Sequence, residues 1–440
     1  MPTNVSRRTL LAASTAALSL AVTGLGARGD VRTGPAGTDL QDQLHALPDY
    51  GIITIRDHWV RSRSLRVTRP VTIRFDGGSI RMTTDEDALR VTASHVWVDR
   101  PVITGAGATT GGTGRGIAFL GTPERPLGRG MVTGGELREL PHDGVYIAYY
   151  DDFDVTGVRI SRTGYSGVMT TGARNGMIQD NRIEDILQPA GRPNSYGIAL
   201  GRDATRDMSI ARRSSGIRVL RNHVENVRNW EGIDTHAGQD IEIRGNTVIG
   251  CRVGIAAVPS KDPADRMETL GAPRDVLIEE NDVVRDLDLE PGAGIIMSGA
   301  GTTVGSTRER ARGSISSNTV RGGAGSSGEG AIVVKLSEDT TVSGNTIVES
   351  IMSAIALPHS NSRIAIHDNV VEGVSGTSVG INVVHGVNDG AIIGNRFRAT
   401  DPRLRVAVRF GSAPNVFTVR ENEFNDAMVQ VARGGATVSE

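Results

Sequence analysis

Trp230-Glu-Gly-Ile-Asp-Thr-His-Ala-Gly-Gln-Asp-Ile-Glu-Ile-Arg-Gly-Asn-Thr-Val248 holds two short apolar alternations, Gly232–His236 and Asp240–Arg244, separated by a small turn. Alternation with a period of two is the pattern of a strand with one face buried. The second alternation ends in Gly245-Asn246 and a further apolar run, Thr247-Val248-Ile249. This unit recurs along the chain, and here alone an acid and a histidine stand two residues apart in the first alternation.

Asparagine-led segments mark the recurrence at Asn181, Asn222, Asn246, Asn281, Asn318, Asn345, Asn369, Asn395 and Asn422. Strand-like runs precede several of them. After a polar or glycine-rich turn, a second run follows, as at Gly197-Ile-Ala-Leu200, Gly254-Ile-Ala-Ala257 and Gly380-Ile-Asn-Val383. The shortest asparagine-to-asparagine steps, 222 to 246 and 345 to 369, are 24 residues, within the range of stacked solenoid coils. A single coil cannot bury its apolar face, so stacking must build the core. The asparagines are expected to form side-chain ladders at the turns. The repeat resembles the right-handed parallel β-helix of pectate-lyase-like proteins over roughly residues 50 to 430. The expected fold class is therefore all-β, a right-handed parallel β-helix solenoid with a short N-terminal capping helix.

Residues 1–30 read as an export signal. Ser6-Arg7-Arg8-Thr9-Leu10-Leu11 opens an Ala/Leu-rich run that ends near Val22 in small residues. The paired arginines resemble a twin-arginine signal, and the run is short of the roughly 20 apolar residues of a membrane span. The expectation is a secreted or periplasmic protein with no membrane partner once the signal is removed. Residues 31–440 read as one domain. Thr38-Asp-Leu-Gln41 is a capping box for a helix to about Leu47, plugging the open end of the first coil within residues 38–50.

Composition narrows the partners. Glycine is 56 of 440 residues and aromatics are 4%, as tight turns around a thin aliphatic core require. The formal net charge is −2. No basic cluster carries interleaved aromatics, which argues against nucleic acid. The single cysteine, Cys251, reads as a small buried residue. A homo-oligomer through the long faces is compatible with the fold.

Departures from the minimal repeat locate a cleft. Steps of 41, 35 and 37 residues follow Asn181, Asn246 and Asn281. The surplus falls after the Gly-Ile strand, in Gly201–Ser215, Pro259–Pro273 and Ser298–Gly313. Insertions at one turn of a solenoid project from one face. The Asp234 coil, lying between the first two, is then the floor of a walled groove. An inward Ile233 makes Thr235 inward and Asp234 and His236 outward. Tyr196 falls near Glu231, while Arg202 and Lys261 reach the same edge. Trp230, Asp203, Tyr146 and Lys335 complete the substrate-binding candidates, with Asn382, His359 and His385 farther along. No metal set is expected and no cofactor is required. Calcium at Asp151-Asp152-Phe-Asp154 is a weaker alternative to a solvated turn.

Gly232-Ile233-Asp234-Thr235-His236 is also similar to the Asp-Pro-His strand of mannuronan C5-epimerases and related alginate-acting enzymes. Thr235 replaces the proline, Glu231 a tyrosine, and Ala237 stands where an acid often follows, so only Asp234 and His236 carry over. The resemblance implies a carbohydrate substrate and lyase or epimerase chemistry, with His236 as base and Tyr196 as acid. Arg202, Lys261 or a protonated Asp234 would neutralise the uronate carboxylate. Two alternatives stay open: a glycoside hydrolase or glycosyl (fructo)transferase using Glu231 with Asp234 or Asp203, and a non-catalytic glycan-binding protein.

Overall fold

The computed structural model describes residues 39–439, apart from 266–267, 287–288, 302–307, 324–329, 351, 374–376, 400–405, 412–413 and 425–428. The expected export signal lies outside the described residues. Each coil sends one strand in turn to three long sheets, which hold 15, 13 and 14 strands among the described residues. Sheet neighbours come from successive coils and pair in parallel. The chain is thus a parallel β-helix.

Sequence periodicity explains the core. Val145, Val168, Ile198, Ile233, Ile255, Ile295, Ile332, Ile355, Ile381 and Val408 occupy one register column of sheet 3 and are fully buried. β-Branched side chains suit this stack because one rotamer packs repeatedly on its copy in the next coil. Burying each such side chain contributes about 1.5–3 kcal/mol.

At the turn from sheet 1 to sheet 2 the expected ladder is present. Asn222 Nδ2 donates to Asn246 Oδ1 at 3.0 Å, and Asn246 Nδ2 donates to Asn281 Oδ1 at 2.9 Å. The same bond continues through Asn318, Asn345, Asn369 and Asn395 to Asn422. Each described backbone N–H along it also donates to the next Oδ1, as Asn222 N does to Asn246. A second ladder, Asn361–Asn388–Asn415, stands at the turn from sheet 3 to sheet 1.

The N-terminal helix is Leu40–Ala46, and its Leu40 and Leu44 enter the core. Its cap is Asp39, whose side chain accepts from Gln41 N, rather than the expected Thr38, which lies outside the described residues. Gln41 is used instead to pin the helix to the first coils, accepting from Arg66 N at 2.8 Å. Asp151–Asp154 forms part of the strand Tyr150–Thr156, not a turn. Asp151 pairs with Arg212, and Asp154 accepts from Thr156.

Three strands of sheet 3 frame the groove: β1 (Tyr196–Gly201), β2 (Glu231–His236) and β3 (Val253–Val258). The connections that begin at Arg202, Pro259 and Gly299 all lead from a strand of sheet 3 to a strand of sheet 1, at the same corner. They also touch one another. Arg202 Nε donates to Ser260 Oγ at 2.8 Å, and Arg308 pairs with Asp262 at 2.9 Å. β2 needs only Ala237-Gly238 to reach the next strand. The long connections thus share one corner, as expected, with the short connection of β2 between the first two.

Asn246→Ala removes two donated bonds and strands the Asn222 donors that Asn246 Oδ1 accepts. Unmade buried hydrogen bonds cost about 1–3 kcal/mol each. We expect a loss of roughly 2 kcal/mol or more, read from the urea midpoint. An unchanged midpoint would remove the ladder from the stability argument.

Candidate active site

β2 breaks strict alternation at its start, and the break assembles the site. Gly232 and Ile233 are both buried, and the register pairs Glu231 with Tyr196 and Ile233 with Ile198. A Cβ on Gly232 would lie 2.6 Å from Val248 Cγ1 and 2.8 Å from the Gly254 carbonyl. Only glycine fits there, because the backbone itself turns toward the core. Glu231, three residues before Asp234, thereby shares a side with Asp234 and His236. One carboxylate oxygen from each acid and one His236 ring nitrogen lie within 4.8 Å of one another.

Asp234 sits outside the aliphatic core yet has no exposed surface, contrary to the solvent-facing position expected from alternation. Thr235 is inward as expected, its Oγ1 donating to the Leu200 carbonyl. Asp234 Oδ2 is 3.1 Å from His236 Nε2, but neither Asp234 oxygen has an aligned hydrogen-bond donor. Glu231 is 8% exposed, and its Oε2 is buried without a donor. His236 is the part open to the groove, with its side chain 34% exposed.

His236 Nδ1 lies 3.3 Å from the Pro259 carbonyl, which can only accept. That contact assigns the proton to Nδ1 and leaves Nε2 with its lone pair facing inward. Tyr196 Oη is 3.3 Å from Nε2 and accepts from Asn194 Nδ2 at 2.5 Å. The phenol thus donates toward the imidazole.

Electrostatics follow from burial. Burial, with the charge of Asp234 second, pushes the Glu231 carboxyl up to about 8. Burial drives Asp234 well above the usual carboxylate range, against the lowering pull of the Thr235 backbone N–H. The Tyr196 hydroxyl is raised by burial and by the charges of Asp234 and Glu231, so it stays protonated. Three coils earlier, Asp143 shows the opposite outcome. Burial raises it, but His142, Arg115 and the Ser166 hydroxyl outweigh that and hold it low. Among the described residues no arginine does for Asp234 what Arg115 does for Asp143.

Several expected partners lie elsewhere. The buried Arg202 spends its guanidinium on Ser260 Oγ and on the carbonyls of Asp203, Arg206 and Lys261, tying loops together instead of meeting Asp234. Lys261 is exposed, in a backbone bridge with Thr269. Asp203 accepts from Thr205 and pairs with Arg206, so it makes no pair with Asp234. Tyr146 shares the Asp234 column but three coils away, beneath Arg115. Lys335 lies three coils the other way, on the His236 column. At about 4.8 Å per coil, each is roughly 14 Å off. His359 and His385 stack on each other farther along, with centroids 6.1 Å apart.

Trp230 does belong to the site. Arg252 lies over its ring at 5.5 Å. Together with Glu231, Val258, Ile296 and Val333 they line a cavity of about 170 Å³. Residues not expected from sequence extend the site the other way. His142, Tyr165, Tyr196 and His236 form a row of rings with successive centroids 4.6, 5.6 and 6.0 Å apart. Their signal was positional: His142 and Tyr165 stand two residues before Gly144 and Gly167, as Trp230 does before Gly232.

Residues 132–264 match the family model described as right handed beta helix region. No curated protein matches the chain in sequence. Similar solved structures include the catalytic unit of a GH87 alpha-1,3-glucanase from Streptomyces thermodiastaticus strain HF3-3. It is 16% identical, with 91% of this chain and 68% of that chain covered and a TM-score of 0.53. The alginate lyase AlyF-OU02 is 15% identical, with coverage of 88% and 85% and a TM-score of 0.53. PfbA, a surface adhesin of Streptococcus pneumoniae, is 13% identical, with coverage of 79% and 82% and a TM-score of 0.53. At these identities the likeness establishes the right-handed β-helix fold and no shared chemistry. A second family model matches residues 213–435, just over half of the sequence, and the chain accordingly belongs to the family described as periplasmic copper-binding protein (NosD).

Proposed function

We propose that the protein acts on a carbohydrate lying along sheet 3, by proton-transfer chemistry of the lyase or epimerase kind centred on His236 and Tyr196. The observation that carries this reading is the close approach of Tyr196 Oη, His236 Nε2 and Asp234 Oδ2 at the floor of the walled groove. In a uronate residue the C5 proton becomes acidic once the neighbouring carboxylate is neutralised. The Nε2 lone pair then takes that proton, a role suited to an imidazole near neutral pH. The C4–O bond breaks, the C4–C5 double bond forms, and Tyr196 gives its proton to the leaving oxygen. The imidazolium, stabilised by Asp234 beneath it, returns a proton to the tyrosinate and restores the catalyst. Returning a proton to C5 from the opposite face instead gives epimerisation.

With Arg202 and Lys261 engaged elsewhere, neutralisation falls to the Glu231–Asp234 pair, which retains a proton near neutral pH. Glu231 borders the cavity, and in this reading its protonated carboxyl hydrogen-bonds a substrate carboxylate. A second reading uses the same pair as acid and nucleophile of a glycosidase. It is favoured by carboxylate oxygens within 4.8 Å, near the about 5–5.5 Å of retaining enzymes. The complete burial of Asp234 places it second.

Export to the periplasm or beyond fits the family description and the N-terminal segment. No helix among the described residues is long and apolar enough to cross a membrane. The copper of the family description is a separate matter. Copper(I) favours thiolate and thioether ligands. Cys251 is buried among the core residues, its thiol pushed up to about 12 by burial, and makes no such site. The nitrogen and oxygen donors of Glu231, Asp234 and His236 fit a divalent ion, copper(II) included.

On a panel of uronate-containing polysaccharides, ultraviolet absorbance should reveal an unsaturated product, and NMR an inverted C5. His236→Ala and Tyr196→Phe should each lower turnover by at least about a hundredfold, the scale of a lost general base or acid. Full activity in His236→Ala sinks the proton-transfer reading. New reducing ends without absorbance, dependent on Glu231 but not on His236, would install the glycosidase. Glycan binding without any product would leave a binding protein.

The raised Glu231 carboxyl also predicts a stability slope in buffer free of divalent ions. Between about pH 4.5 and about pH 8 the folded state holds a proton that the unfolded state has released. Stability is therefore full below that window and falls as pH rises through it. Urea midpoints should drop from the acid to the alkaline end, and Glu231→Gln should flatten the change. A midpoint that rises across the window would refute the assignment.

A further inference from the structure

We infer that Glu231, Asp234 and His236 form a binding site for one divalent first-row metal cation. The inference concerns what occupies the cluster and stands whether or not the protein turns over a carbohydrate.

Three independent observations converge. First, the ligand atoms of the three residues lie within 4.8 Å of one another, close enough to surround one ion. Second, the two acids are more than nine-tenths buried, and Glu231 Oε2 and both Asp234 oxygens lack an aligned hydrogen-bond donor. Buried carboxylates without a hydrogen-bonded or cationic partner are costly. No lysine or arginine among the described residues bears on Asp234, and Trp230, His236 and Arg252 offset the burial of Glu231 only in part. Third, the imidazole is oriented as a ligand. The Pro259 carbonyl takes the Nδ1 proton, so Nε2 turns its lone pair toward Asp234 Oδ2 at 3.1 Å. Metal-binding histidines commonly give their other N–H to a backbone carbonyl in this way. Two lone pairs at that distance need a proton or a cation between them, and a cation can engage Glu231 as well.

The donor set fixes the class of ion. Two carboxylate oxygens and one imidazole suit zinc and its first-row neighbours. Calcium takes six to eight oxygens, and copper(I) prefers sulfur. Three protein ligands leave a fourth position open, the layout of a catalytic rather than a structural zinc site. Tyr196 Oη, held by Asn194, is the neighbouring group that does not ligate. A bound cation would supply the positive charge that an acidic substrate group needs. Cation and proton compete for the same lone pairs. In the loaded protein His236 serves as a ligand, so the metal-loaded site and the site with His236 as base are alternative states.

The arrangement depends on the inward turn at Gly232. All three ligands come from one strand of six residues, at positions 231, 234 and 236. Strict alternation would put Glu231 on the opposite face from the other two. The two consecutive buried residues, Gly232 and Ile233, bring it back.

The test is titration of chelator-treated full-length protein with zinc chloride by calorimetry, with thermal unfolding as a second readout. One equivalent should bind and raise the melting temperature, since an ion that binds only the folded state stabilises it. Asp234→Asn and His236→Ala should each weaken zinc binding by about a hundredfold or more, at or beyond the loss seen for second-shell changes. Glu231→Gln is the isosteric check should Asp234→Asn fold poorly. Tyr196→Phe should bind zinc as the wild type does. Absence of a saturable equivalent in the wild type overturns the inference, as does undiminished binding by folded Asp234→Asn or Glu231→Gln. Because no carbohydrate is present, zinc binding without turnover would fault only the proposed activity. Turnover by a protein that binds no zinc would fault only the site.

Discussion

Asn246 accepts two hydrogen bonds from the coil before it and donates to the coil after it. That exchange, repeated from Asn181 to Asn422, locks each coil over the last. A parallel strand shifted by one residue would turn its isoleucines outward. The ladder permits no such shift, because each buried amide has one partner at the right height. The isoleucine and valine column of sheet 3 therefore stacks like on like. The same lock lets short loops and long loops leave one corner without disturbing the strands they join. The groove is a by-product of register held elsewhere.

Much of the fold was legible because repetition amplifies weak signals. One Gly-Ile pair says little, whereas the same pair in successive coils, each followed by an asparagine, leaves few alternatives. The second ladder escaped notice because Asn361, Asn388 and Asn415 begin only in the last coils, after the long loops end. The cap was misplaced by one residue because Thr38 and Asp39 are both good N-cap residues and sequence alone does not rank them.

The site was legible in part, and its failures have physical causes. Alternation placed Asp234 and His236 on one side, but it does not see depth. Asp234 has no exposed surface, and His236 of its own strand stands 3.1 Å from it, so an outward residue became a buried one. Glu231 joined the cluster through the inward turn at Gly232, which alternation forbids. Arg202 was expected to meet the substrate because of its charge and position. Four hydrogen bonds to loop groups use that guanidinium to hold the wall. Reading the repeat from its glycines, rather than its asparagines, would have aligned His142, Tyr165 and Trp230 beside the site.

The corner between sheets 3 and 1 changes character along the molecule. In the coils of β1, β3 and Ile295–Ser298 it carries loops. From Asn361 onward it is sealed by a flush row of amides. A long polymer resting on sheet 3 would thus meet banks on one part of its bed and a level shore on the other. Only the banked part resists sideways drift, so a filament could be laid down on the level part and drawn lengthwise into register. Such an asymmetry gives an otherwise repetitive surface a direction, and with it a way to distinguish the two ends of a chain that has no other landmark.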